Sequence, residues 1–150
     1  MIFSLVIHEI AHARCAYYLG DPTAKNMGRF SFNPLMHISL LGVLMPIGLY
    51  LIGAPMFGFA KPVQYNPAYF KYPRRDMILV GLSGPFSNLI LAMIAFGILF
   101  SFQVSHTGYM HEILANILII NLMLCFFNLI PIPPLDGSIV YMSSVIKKNP

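Results

Sequence analysis

Long apolar runs separated by short polar stretches define the elements of this chain. Residues 1–19 are apolar but interrupted by His8, Glu9, His12 and Arg14, and Gly20-Asp21-Pro22 follows, a pattern that predicts a helix with a strong stop. Residues 21–34 are polar and turn-rich. Within them, 27–32 alternates apolar and polar positions, which predicts a short strand broken by Asn33-Pro34. Residues 38–52 are apolar but short, since a crossing helix needs about 20 residues. They also contain Gly42, Pro46 and Gly48, so a kinked or re-entrant segment is expected. A second short strand is expected over 56–64, with Pro62 placing it at a sheet edge. Residues 77–102 read as a full span, 103–111 as a polar loop, and 113–130 as the next span. Pro131, Pro133 and Pro134 break that last run. Asp136-Gly137 follows, then a short apolar helix to Ile146 and a basic end at Lys147 and Lys148.

Composition turns these runs into membrane segments. Of the 150 residues, 57% are hydrophobic and 9% charged, and the mean hydropathy is +0.73. Soluble domains carry about 25% charged residues, so this chain has too few charges to cover a water-facing surface. The expected fold is an α-helical integral membrane protein. It has about three to four core transmembrane helices, one short re-entrant or kinked segment, and short membrane-edge β-strands. Residues 1–150 read as a single core. The first helix starts only seven residues before its charged motif, so it reads as clipped. Further sequence is expected upstream, and the end at Pro150 leaves room for more downstream.

Charge placement refines the topology. The formal net charge is +4, yet no Lys or Arg lies between Asp76 and Tyr141. Basic loops flanking apolar spans follow the positive-inside pattern, and no basic stripe interleaved with aromatics suggests a nucleic-acid partner. If 38–52 dips and returns, all loop Lys and Arg residues share the cytoplasmic side. The two cysteines, Cys15 and Cys125, sit in apolar segments without a CxxC partner and read as small buried hydrophobes.

The candidate chemistry lies in the first helix. His8-Glu9-Ile10-Ala11-His12 is an HExxH motif. Residues four apart share a helix face, so the two imidazoles can reach one ion, with the Glu9 carboxylate beside them to take a proton from water. Ionisable groups in an apolar helix are costly and usually functional. Catalytic zinc takes three protein ligands and keeps one position open. The remaining carboxylates are Asp21, Asp76, Glu112 and Asp136. Asp21 reads as a helix-end residue, Asp76 as a partner for Arg74 or Arg75, and Glu112 as an edge residue beside His111. Asp136, in the proline-broken segment, is the best candidate for the third ligand by elimination, against its reading as a turn residue in Pro134-Leu135-Asp136-Gly137. Its depth agrees: His8 lies roughly 18 Å from its helix end, and the run from Ile113 covers about 27 Å before Pro131.

The chain resembles the site-2 protease family of membrane-embedded zinc metalloproteases, in its compact prokaryotic branch without a PDZ domain. HExxH at 8–12 carries the resemblance, together with Asn128-Leu129-Ile130-Pro131-Ile132-Pro133-Pro134-Leu135-Asp136-Gly137, which is similar to that family's NxxPxxPxDG motif. The stretches GDPTAKNMGRFSFNPLMHIS, FGFAKPVQYNP and GLSGPFSN extend it over nearly the whole chain. The resemblance implies cleavage of a peptide bond in or near the transmembrane segment of a membrane-protein substrate, typically in regulated intramembrane proteolysis. It implies one zinc held by His8, His12 and Asp136, with Glu9 as general base. It implies Asn128 near the reacting carbonyl as an oxyanion donor, where the residue by itself reads as one that caps or bridges helices, and a membrane-edge strand that pairs with unwound substrate. The implied location is a prokaryotic cell membrane. Departures from the family pattern are Ser39 after His37-Ile38, Phe59 where Trp is usual, and Ser138 where a second Gly is usual. They bear on substrate preference and leave the metal ligands intact.

Asn88, in Gly84-Pro85-Phe86-Ser87-Asn88, reads as an interhelical hydrogen-bonding group, and Gly81, Ser83 and Gly84 as close-packing positions. His37 reads as a surface or hydrogen-bonded histidine. The alternative to a protease is a membrane metal-binding or metal-transport protein without peptidase activity. The sequence does not indicate an oligomeric state.

Overall fold

Among the described residues the chain forms α1 (Ile2–Tyr18), a single turn α2 (Thr23–Asn26), α3 (Pro73–Ser101), α4 (Tyr109–Asn128) and α5 (Asp136–Val145). Short 3-10 turns lie at Pro34–Met36 and Pro67–Tyr69. This is a computed structural model, and it describes residues 1–37, 51–53, 63–101 and 108–145.

Local chemistry sets each boundary. α1 stops because Gly20 enters the left-handed region at φ 108, and the Gly20 and Asp21 N–H groups bond back to Tyr17 and Ala16. α3 begins earlier than the apolar run that announces it. Pro73 opens its first turn, a position that suits a residue without an N–H, and the Asp76 carboxylate accepts the Tyr72 N–H at 3.0 Å. The arginine pair 74–75 therefore belongs to the helix.

The expected strand at 27–32 is not formed. Gly28 turns the chain at φ 72, and the Arg29 N–H bonds to the Ala24 carbonyl, extending the helical turn of α2. Arg29 is buried, and its guanidinium donates to the Met36 carbonyl at 2.6 Å. A six-residue alternation fits such a turn as well as a strand, and the loop's own hydrogen bonds decide. The expected re-entrant segment at 38–52 and most of the second strand, 56–64, lie outside the described residues.

α3 is the central element and packs against α1, α4 and α5. α1 buries Val6, Ile10, Ala13 and Ala16 together with the polar residues His8, Glu9 and His12. Ala16, Val80 and Phe70 form a small apolar cluster where α1 meets the start of α3. Further along, buried Asn121 of α4 donates to Ser4 of α1 at 3.1 Å. At the other end of α1, buried Asp21 accepts from Thr23 and from the Asn66 N–H at 2.6 Å. These contacts tie the C-terminal end of α1 to the segment that precedes α3.

Among the described residues, two helices, Pro73–Ser101 and Tyr109–Asn128, are long and apolar enough to cross a membrane. Their outer faces present Met93, Phe96, Phe100, Met123 and Phe126 largely exposed. Large exposed apolar patches mark contact with a membrane or a partner.

Candidate metal centre

His8 and His12 are one turn apart on α1, both buried, with their rings edge to face at 4.7 Å. Asp136 is the first residue of α5. The chain reaches it through a tight turn over 129–135, in which the Leu135 N–H bonds to Ile132 and the Ser138 N–H to Leu135. Gly137 lets this turn close, because a Cβ there would strike the Leu129 carbonyl and lie 2.6 Å from the Ile130 oxygen.

Three ligand atoms converge. His8 Nε2 lies 3.0 Å from Asp136 Oδ2 and 3.1 Å from His12 Nε2. His12 Nε2 lies 3.3 Å from the same carboxylate oxygen. Among the described residues these three form a metal-ligating group.

The donor set asks for a cation. His12 Nδ1 lies 2.7 Å from the Val80 carbonyl. A carbonyl only accepts, so Nδ1 carries the proton and the neutral ring turns a bare Nε2 towards His8 and Asp136. Lone pairs gathered this closely repel unless a positive charge sits among them. Tetrahedral zinc with bonds of about 2.0–2.1 Å spaces its ligand atoms about 3.3 Å apart. The observed edges of 3.0, 3.1 and 3.3 Å match that triangle. Two imidazoles and one carboxylate also leave a fourth position open, the pattern of a catalytic zinc. The residues fit the metal.

α3 supplies the wall behind the ligands. Gly84 lies so close that a Cβ there would strike His12 Nε2 and come within 2.7 Å of His8 Cε1. Gly81, one turn earlier, abuts the Asp136 carbonyl and Val140 of α5. The small residues that the sequence assigns to close helix packing thus pack against the candidate ligands themselves. Asn88 is fully buried, with its side-chain amide 3.1 Å from His8 Nδ1. The sequence marks it as a hydrogen-bonding group but does not name its partner.

Glu9 is buried beside the cluster, with the Val63 backbone next to it. Tyr65 follows in the same segment. Burial raises its phenol above the usual pKa, and the Asp136 carboxylate pushes the same way, so the ring stays neutral near the site. Asn128 is placed differently: its amide donates to the Leu124 carbonyl of its own helix at 2.9 Å, and no described contact joins it to the ligand cluster. Buried His37 donates to the Ser31 carbonyl at 2.7 Å, the hydrogen-bonded reading.

Fold and site together define a helical protein built around a buried two-histidine, one-carboxylate centre. Comparison with known proteins agrees. The chain is 42% identical over 148 residues to "Putative zinc metalloprotease YwhC" of Bacillus subtilis, covering 91% of this chain and 63% of that protein. It is 29% identical over 137 residues to a Mycolicibacterium smegmatis protein of the same description, Rip2, covering 91% of this chain and 52% of that one. It is 26% identical over 148 residues to "Zinc metalloprotease MJ0392" of Methanocaldococcus jannaschii, covering 99% of this chain and 34% of that one. The chain thus spans between one third and two thirds of the length of these relatives. No protein-family model matches it, and no solved structure matches it. The chain is a relative of these zinc metalloproteases, in line with the site-2 protease family that its motifs resemble.

Proposed function

We propose that this chain is the core of an intramembrane zinc metalloprotease that hydrolyses a peptide bond in or near the transmembrane segment of a membrane-protein substrate. The observation that carries the reading is the ligand triangle of His8, His12 and Asp136, which brings together residues 128 positions apart. The names of the relatives support zinc as the metal and peptide hydrolysis as the reaction. The apolar outer faces of α3 and α4 support a setting in the lipid bilayer, and the bacterial relative supports a prokaryotic cell membrane.

In this reading His8, His12 and Asp136 hold the metal. When bound, zinc supplies Lewis acidity and lowers the pKa of water towards 7. Glu9 accepts the proton of the attacking water and passes it to the leaving amine nitrogen. An Asn amide has two donors, and Asn128 commits one to Leu124. The second is left to donate to the oxyanion that forms at the substrate carbonyl. A helical substrate hides its carbonyls in its own hydrogen bonds, so it must unwind locally before Glu9 and Asn128 can act on it.

Glu9→Gln tests the division of labour. The variant replaces the carboxylate with an amide of the same shape and so loses the base. Cleavage of a transmembrane substrate in reconstituted vesicles is expected to fall by about 10²-fold or more, with zinc content unchanged. Full activity in Glu9→Gln removes Glu9 from the chemistry.

A further inference from the structure

Resting on the zinc reading above, we infer that Asn88 is a positioning residue for the metal centre: its side-chain carbonyl accepts the Nδ1 proton of His8 and so fixes the tautomer that leaves His8 Nε2 free as a ligand.

The chemistry starts from what a ligand must give up. His8 Nε2 faces Asp136 Oδ2 at 3.0 Å and His12 Nε2 at 3.1 Å. To bind a metal it offers a lone pair, so the ring proton of neutral His8 must sit on Nδ1. A proton there needs an acceptor. Asn88 lies 3.1 Å from Nδ1 with its NH2 end facing the ring, donor against donor. Its carbonyl oxygen is buried with no hydrogen-bond partner. The oxygen and nitrogen of an amide differ by half a turn about one bond, and the hydrogen-bond network decides between them. Turning the amide puts Oδ1 on the Nδ1 proton and satisfies the stranded carbonyl. Asn88 is wholly enclosed, so no water competes for that proton.

The spacing along α3 supports the same assignment. Val80, Gly84 and Asn88 fall at intervals of four, one stripe of the helix. The Val80 carbonyl orients His12 at 2.7 Å. Gly84 makes room for both rings. Asn88, on the far side of Gly84, meets His8. Since His12 pairs with position 80 and His8 with position 88, α1 and α3 run antiparallel and each imidazole receives its own acceptor. Such outer partners of zinc-bound histidines fix ring orientation and raise ligand basicity, and losing one costs about 10–100-fold in metal affinity.

The test measures zinc affinity of the purified full chain in detergent by competition with a chelator of known affinity, alongside thermal unfolding of the metal-free protein. Asn88→Ala is expected to bind zinc about 10–100-fold more weakly. Asn88→Asp, which still accepts from Nδ1, is expected to recover most of that loss. Asn121→Ala is the control: it removes a buried asparagine that also reaches α1, through Ser4, and is expected to lower stability with zinc affinity unchanged. The absorption spectrum of the cobalt-loaded protein is expected to shift in Asn88→Ala and not in Asn121→Ala. Wild-type affinity and spectrum in Asn88→Ala overturn the inference, as does an equal loss of affinity in Asn88→Ala and Asn121→Ala. His8→Ala separates the two levels. If it leaves zinc bound as in wild type, the metal reading itself fails; if it abolishes binding while Asn88→Ala does not weaken it, only the role of Asn88 fails.

Discussion

Gly84 bears a tight steric constraint where α3 meets the two histidine ligands. Its missing side chain is what allows α3 to reach both imidazoles, since a Cβ would lie 2.6 Å from His12 Cε1 and 2.7 Å from His8 Cε1. Gly84→Ala is therefore expected to push α3 and α1 apart or turn the rings, at an overpacking cost of about 1–3 kcal/mol. Elemental analysis of the purified variant is expected to show substoichiometric zinc, whereas wild-type zinc content in Gly84→Ala would mean the helices have slack here. At this scale the candidate ligands are legible in the sequence: HExxH places two imidazoles and a carboxylate on one turn of one helix, and the scarcity of acidic residues leaves Asp136. The parts played by Gly84, Asn88 and the Val80 carbonyl are not. They depend on which face of which helix meets α1, and no local pattern in the sequence encodes that pairing. The contribution of Asn128 also rests on the family motif, because in this structure its amide turns to Leu124.

The elements are held by a few buried polar links as well as by apolar packing. Asp21 joins the end of α1 to the segment before α3 by accepting from Thr23 and from the Asn66 N–H. That segment also packs Tyr65 against the cluster of Ala16, Phe70 and Val80. Asp21→Ala strands the Asn66 donor, at a cost of about 1–3 kcal/mol. The expected results are a lower unfolding temperature and faster proteolysis by an added soluble protease within 63–69. Unchanged protection of that segment would show that other contacts hold it. The long apolar runs announce α3 and α4 because length and hydropathy are strong signals. The strand expected at 27–32 fails because six alternating residues cannot distinguish a strand from a turn. Gly28 at positive φ and the buried Arg29 resolve that choice in favour of the turn.

At the scale of the described residues, the molecule is a set of helices with exposed apolar side chains on α3 and α4 and a buried group of His8, Glu9 and His12 on α1. The composition points to that inversion: with 9% charged residues, the buried positions of α1 are where charge can be kept only in partnership. The site draws on both ends of the described chain, from His8 on α1 to Asp136 on α5, with α3 as the shared wall. Metal binding is thus a property of the assembled molecule, and a metal bound by separate elements at once also stabilises their arrangement.

The most direct measurement is zinc content by elemental analysis of the detergent-purified protein, wild type against Asp136→Ala. The ligand triangle predicts one zinc per chain in the wild type and its loss in the variant, since two histidines on one helix turn do not complete a three-ligand site. Absence of zinc from the wild type, or zinc retained in full by Asp136→Ala, would contradict the assignment of His8, His12 and Asp136 as the metal centre.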